Sequence, residues 1–251
     1  MKRYFMYLSY DGSNYNGWQI QPNGVTVQET IEKALAVILR KETPVVGAGR
    51  TDAKVHARLM VAHFDSDIEC LDTGQLTDRL NGYLPNDIAI NKIEQVRNDA
   101  HARFDAVSRL YRYYVITGKN PFLMNTHYRL RGDLDMEMMN RCAMALFDFE
   151  DFTSFSKLHT DVKTNNCKIM YAHWEKNDNE YIFTIKADRF LRNMVRAIVG
   201  TLLEAGRGKL DEDKFRWIIE AKNRNIAGVS VPGHALFLEE IEYDDCIKEV
   251  D

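Results

Sequence analysis

Apolar positions along the chain change period repeatedly, and each change marks an element. Residues 4–10 are aromatic-rich and short, which predicts a strand stopped by the turn-forming run Asp11-Gly12-Ser13-Asn14. Thr26 and Glu29 then stand at capping-box spacing. Val27, Ile31, Leu35, Ile38 and Leu39 repeat at helical intervals, so a helix is expected to about Arg40. A loop is expected over 47–56, a buried strand at 58–64, a helix at 73–81 and a strand at 88–96. The first half therefore reads β-α-β-α-β.

The second half opens on a strand at 107–117. Alternation sends Tyr111, Tyr113 and Val115 to one face and Arg112 and Tyr114 to the other. A Met-rich helix near 135–147, a loop through 157–166, and strands at 168–174 and 181–187 follow. A helix is expected from Phe190 to about Ala205, with Gly206 as its stop. On it Arg189, Arg192 and Arg196 fall at i, i+3 and i+7, a basic stripe beside the apolar one of Leu191, Val195, Ile198 and Leu202. A helix at 211–221 and a strand at 236–243 close the chain. The expectation is an α+β protein of two loosely similar α+β units, 1–104 and 105–251.

Composition narrows the class. At 251 residues, 45% hydrophobic and 28% charged, the chain is long enough for a core, and collagen-like, coiled-coil and disordered classes are excluded. Lys plus Arg number 33 against 37 Asp plus Glu, a formal charge of −4 that makes no global case for a polyanionic partner. The distribution says more. Between 103 and 131 stand Arg103, Arg109, Arg112, Lys119, Arg129 and Arg131 against Asp105, a local +5. Between 186 and 209, six basic residues face two acids for +4, while residues 239–251 hold seven acids and one Lys for −6. Taken alone, each basic stretch reads first as solvated surface.

Four widely spaced cysteines form no CxxC, which suggests neither a zinc knuckle nor a disulfide framework and fits a reducing compartment. The segment after Met1-Lys2-Arg3 is too short and polar for a signal peptide, and the apolar run at 194–203 is broken by Arg196. A cytoplasmic protein without membrane spans is expected.

No HExxH, GxSxG or P-loop occurs, and Gly47-Ala48-Gly49 lacks the rest of a dinucleotide fingerprint. What remains is Gly49-Arg50-Thr51-Asp52, which sets a short carboxylate among Arg50, Lys54 and His56 just before an apolar strand. Without further context, an Asp there reads first as a hydrogen-bonded turn residue. The arginine stripe serves equally as a solvated face or as a clamp for phosphate or carboxylate.

Arg50-Thr51-Asp52-Ala53 with Val55-His56-Ala57 resembles the active-site motif of the TruA family, tRNA pseudouridine synthases that act on the anticodon stem-loop. The likeness runs the length of the chain. It includes Tyr10-Asp11-Gly12, Tyr15-Asn16-Gly17-Trp18-Gln19, Val27-Gln28, Leu84-Pro85 with Asp87, and His101-Ala102-Arg103-Phe104. It continues through Tyr111-Arg112-Tyr113, Phe190, Met194-Val195-Arg196 and Val199-Gly200. The resemblance implies a pseudouridine synthase fold, two related α+β subdomains meeting at a central, mostly antiparallel sheet. It implies isomerisation of uridine on the 3′ side of the anticodon stem-loop, with Asp52 as catalytic aspartate, Tyr111 packing on the target base and Arg196 paired with the aspartate. Arg50 would help hold the flipped nucleotide, and Arg103, Arg112, Arg189, Arg192 and Lys54 would touch the RNA. A homodimer, tRNA as partner and no cofactor are also implied. Two departures stand out: Lys54 where the family usually has Gly, and Val231-Pro232-Gly233-His234 in place of a more acidic version.

The chemistry asks little beyond a carboxylate. The N1 to C1′ bond breaks, the uracil turns and rejoins through C5, with no net redox change. The carboxylate attacks the sugar, attacks the base or deprotonates the sugar, and the sequence leaves all three open. Burial alone would raise an Asp above its reference pKa of about 3.9, whereas an opposing guanidinium lowers it. Two rivals stand: a non-catalytic RNA-binding module, and a glycosidic hydrolase with Asp11, Asp65 or Asp188 as second carboxylate.

Overall fold

The computed structural model describes residues 1–157 and 164–247. The end of the acidic tail, 248–251, and most of the loop expected at 157–166 lie outside the described residues. The chain divides into two compact units. Met1–Ser108 and the segment from Leu238 onward form the first, and Arg109–Phe237 form the second. The boundary expected at 104/105 treats the chain as two consecutive pieces, whereas the last strand returns to the first unit. Periodicity shows that a strand exists but not which unit it joins.

In the first unit β1 (Lys2–Tyr10) lies between β3 (His56–Ser66) and β4 (Ile88–Val96), antiparallel to both. The two-residue β2 (Val46–Gly47) pairs with β3 at His63 and Ala62. Both faces of β1 are covered: Tyr4 stacks on Phe64 at 5.5 Å, while Phe5 meets Tyr243 edge-on at 5.3 Å from the other side. Two helices, α1 (Val27–Leu39) and α2 (Thr73–Tyr83), bury Val27, Ile31, Leu35, Leu76 and Leu80. The Thr26 hydroxyl accepts the Glu29 N–H as α1's N-cap, as the capping-box spacing predicts.

In the second unit β5 (Ala106–Ile116) and β7 (Ile169–Asn177) flank β8 (Glu180–Ala187), antiparallel to it, and the short β6 (Tyr128–Arg129) runs parallel to β5. Three helices complete the unit: α3 (Met136–Ala145), α4 (Met194–Gly206) and α5 (Glu212–Glu220). All of α4 is buried except Arg196 and Glu204, so it is a core helix, apolar all round rather than along one stripe. β9 (Leu236–Tyr243) runs out of this unit and ends in the first. Nine strands and five α-helices among the described residues make the protein α+β.

Three expectations need correction. The helix read from Phe190 begins only at Met194, because Asn193 takes a left-handed conformation, φ 67°, and residues 188–193 form a loop. Arg189 and Arg192 therefore stand on that loop and only Arg196 on α4. Gly206 ends α4 but does not make the left-handed stop, which falls at Gly208, φ 70°. The strand expected at 236–243 is present as β9, and its acidic residues are engaged: Glu239 pairs with Arg58 at 3.6 Å, and Glu242 accepts the Ser108 hydroxyl proton at 2.5 Å.

Candidate active site

In the first unit, residues 48–55 carry Asp52 between β2 and β3. Asp52 opens a tight turn closed by the Val55 N–H donating to the Asp52 carbonyl at 3.2 Å. Lys54 sits inside that turn at φ 65°, the left-handed conformation that favours glycine. Neighbouring segments fix the turn from outside. The Trp18 N–H donates to the Thr51 carbonyl at 3.2 Å, and the Lys54 N–H to the Tyr15 carbonyl at 3.1 Å. The Tyr10 and Thr51 hydroxyls hydrogen-bond at 2.8 Å in the interior. At Gly17, φ 91°, any Cβ would collide with the Thr51 carbonyl oxygen, so glycine there permits the close approach.

The supports are themselves anchored. The Tyr15 hydroxyl donates to Asp87 at 2.6 Å, Asn14 Nδ2 donates to the same carboxylate at 3.1 Å, and buried His56 accepts the Gly12 N–H through Nδ1 at 3.1 Å. α1 contributes too, since its first N–H groups, Val27 and Gln28, donate to the Gly17 and Trp18 carbonyls at 3.2 and 3.0 Å. The result is a half-buried carboxylate on a loop held by backbone, with Arg50 and Lys54 exposed on either side. The motifs at 10–12 and 15–19, recognisable in sequence without a role, are this scaffold. Arg103, also in this unit, is exposed and lies over the Phe104 ring at 5.6 Å.

In the second unit β5 presents Tyr111 opposite Ile185 of β8, and the half-buried ring meets Phe190 edge-on at 5.2 Å and 88°. Arg112 points to the other face and is exposed. Phe190 belongs to the 188–193 loop, which Asp188 organises: its Oδ1 accepts the Lys168 and Arg189 N–H groups, both at 2.7 Å. Arg192 on that loop is exposed, and its carbonyl accepts the Lys157 N–H at 3.1 Å. Arg196 is half-buried in the first turn of α4, and its Nε donates to the Val231 carbonyl at 2.7 Å. The Tyr113 hydroxyl donates to the next carbonyl, Pro232, at 3.0 Å. The 231–234 departure from the family pattern thus leaves these contacts intact, because they use main-chain oxygens.

The carboxylates considered as partners for a hydrolase are engaged otherwise. Asp65 receives Arg3 Nε and Nη2 at 2.8 and 2.9 Å, and that hydrogen bonding holds its carboxyl below the usual carboxylate range, the wrong direction for a general acid. Asp188 caps its loop as described, and Asp11 accepts the Ser13 N–H at 2.9 Å. Among the described residues no cluster of three His, Cys, Asp or Glu is placed to hold a metal ion, and no helix is long and apolar enough to cross a membrane.

Comparison with known proteins agrees with the likeness carried by the motifs. The family pattern of tRNA pseudouridine synthase matches residues 6–105 and 144–244, which include the Asp52 loop and α4 but not Tyr111. The chain is 60% identical to tRNA pseudouridine synthase A of Bacteroides fragilis over 99% of both chains. It is 61% identical to that of Parabacteroides distasonis, covering 98% of this chain and 97% of the other. With the Bacillus subtilis protein of the same name it shares 40% identity over 95% of this chain and 98% of the relative. Matched across most of its length by the family pattern and almost end to end by these relatives, the chain belongs to the tRNA pseudouridine synthase family.

Proposed function

We propose that this isomerase converts uridine to pseudouridine on the 3′ side of the tRNA anticodon stem-loop, with Asp52 as the catalytic carboxylate. The observation that supports Asp52 most is its placement: a half-buried carboxylate on a turn whose flanking backbone is tied down at Thr51 and Lys54, between two cations. Preorganisation of that kind places a reacting oxygen without a cost at the moment of reaction. The N1 to C1′ bond breaks, C1′ joins C5, the C5 proton leaves to solvent and N1 gains one, so atoms and electrons balance without a redox partner.

A base inside a helical stem or stacked loop must be turned out, at a cost of a few kcal/mol. Tyr111 is the proposed receiving surface. Stacking on an aromatic ring contributes about 1–3 kcal/mol, which offsets much of that cost, and the edge-on Phe190 fixes the plane in which the ring can be met. Arg196 is the proposed guanidinium that keeps the catalytic carboxylate ionised. Arg50 holds the displaced nucleotide, and Lys54, Arg103, Arg112, Arg189 and Arg192 meet the RNA. The working form is a homodimer in the cytoplasm, a reading that rests on the family likeness.

The test uses unmodified tRNA carrying tritium at uridine C5. Isomerisation releases the label to water with no free uracil. Asp52→Asn is expected to abolish release while tRNA affinity falls less than about tenfold, roughly 1.4 kcal/mol. Retained turnover, or binding lost in proportion to activity, overturns the assignment of Asp52.

A further inference from the structure

Arg196 and Glu204 are the two residues of α4 that are not fully buried, and a loop holds the Nε of Arg196. Nε donates to the Val231 carbonyl at 2.7 Å, and the Val231 N–H returns a bond to the Arg196 carbonyl at 3.2 Å. Residues 227–232 have no regular secondary structure. A segment of that kind holds one geometry only if other groups offset its chain entropy.

Arg224 supplies three of the hydrogen bonds that hold it. Its Nη1 donates to the Ala227 and Gly228 carbonyls at 3.4 and 3.1 Å, and its Nη2 to Ser230 Oγ at 2.8 Å. The same hydroxyl oxygen accepts from Asn193 Nδ2 at 2.6 Å, which ties the loop to the cap of α4, three residues before Arg196. The Gly228 N–H donates to Thr201 Oγ1 at 2.9 Å, and a Cβ on Gly200 would collide with the Val229 carbonyl oxygen, so the loop lies directly on the α4 backbone. Arg224 is partly desolvated, and burial pulls its pKa below the ordinary guanidinium value. Its hydrogen-bond partners among the described residues are the neutral oxygens of Ala227, Gly228 and Ser230. Partial desolvation of a cation against neutral acceptors is costly, and the geometry of the loop is what it secures.

We infer that Arg224 is a positioning residue for the reaction: by clamping 227–230 it holds the Val231 carbonyl where it aims the Arg196 guanidinium. The inference rests on the role given to Arg196 above, and the experiment separates the two. It measures kcat and KM for tRNA in Arg196→Lys, Arg224→Gln, Ser230→Ala and the double variants carrying Arg196→Lys. Arg224→Gln is expected to lower kcat about tenfold with KM held within about twofold, the signature of misplacement rather than lost binding. In the Arg196→Lys background it should add less than about twofold, because no guanidinium is left to aim. Ser230→Ala removes one anchor without disturbing a buried charge. It should follow the same pattern at about threefold, and it carries the cycle if Arg224→Gln does not fold. Losses that multiply in the double variants, losses confined to KM, or an unchanged kcat in both single variants overturn the positioning role. An unchanged kcat in Arg196→Lys overturns the role of Arg196, and the inference falls with it.

Discussion

Lys54 shows how a single backbone angle can be read from sequence only as a condition. The substitution for Gly is visible in the chain, but whether it strains the loop depends on φ, which is 65°. A left-handed non-glycine residue costs about 1–2 kcal/mol, and restoring Gly gives back about 0.5–1 kcal/mol of unfolded-state entropy. Lys54→Gly is therefore expected to stabilise the protein by about 0.5–1 kcal/mol, seen as a thermal midpoint higher by a few degrees. His63 is a second case. Burial, with Arg3 and His101 nearby, pushes its imidazole down to about 4, and Nδ1 accepts the Ala102 N–H at 3.1 Å. The unfolded value is about 6.5, so between those two values the unfolded chain binds a proton that the folded one does not. Stability present above pH 6.5 is lost as the pH falls toward 4 and levels below it. In denaturant titrations His63→Gln should flatten that part of the acid slope.

At the scale of elements, most strands and helices were legible because each buries one face and writes its period into the chain. β4 and β9 have the expected bounds, and α1 its expected cap. Thr26→Ala removes that cap and should cost about 1 kcal/mol in chemical denaturation while leaving kcat nearly unchanged, since the Gly17 and Trp18 carbonyls still receive the next N–H groups. The start of α4 was misread for a physical reason. Phe190, Leu191 and Val195 keep helical spacing, yet Asp188 captures the Lys168 and Arg189 N–H groups, and Asn193 turns left-handed with its amide on Ser230. The Lys168 and Ser230 contacts come from sequence-distant segments, and local period cannot register them. The consequence is functional: three arginines expected on one helix are divided between a loop and a helix.

At the scale of the molecule, a net charge of −4 coexists with basic stretches, and the proposed function assigns the contacts with tRNA phosphates to the latter. Each phosphate neutralised contributes to the salt dependence, so Arg112→Ala should weaken binding across tRNAs and reduce the slope of log K against log salt by about one. An unchanged slope would remove Arg112 from the RNA surface. The sequence by itself determined the class and the broad order of elements, because burial periods are properties of adjacent residues, and the Arg50-Thr51-Asp52 run on which the catalytic proposal rests is legible there too. Only the tertiary structure decided that the last strand returns to the first unit, that Gly17 and Tyr15 carry the Asp52 turn, and that Arg224 acts on the Arg196 loop. Hydrogen bonds between segments far apart in the chain select one arrangement from many that the same local pattern allows.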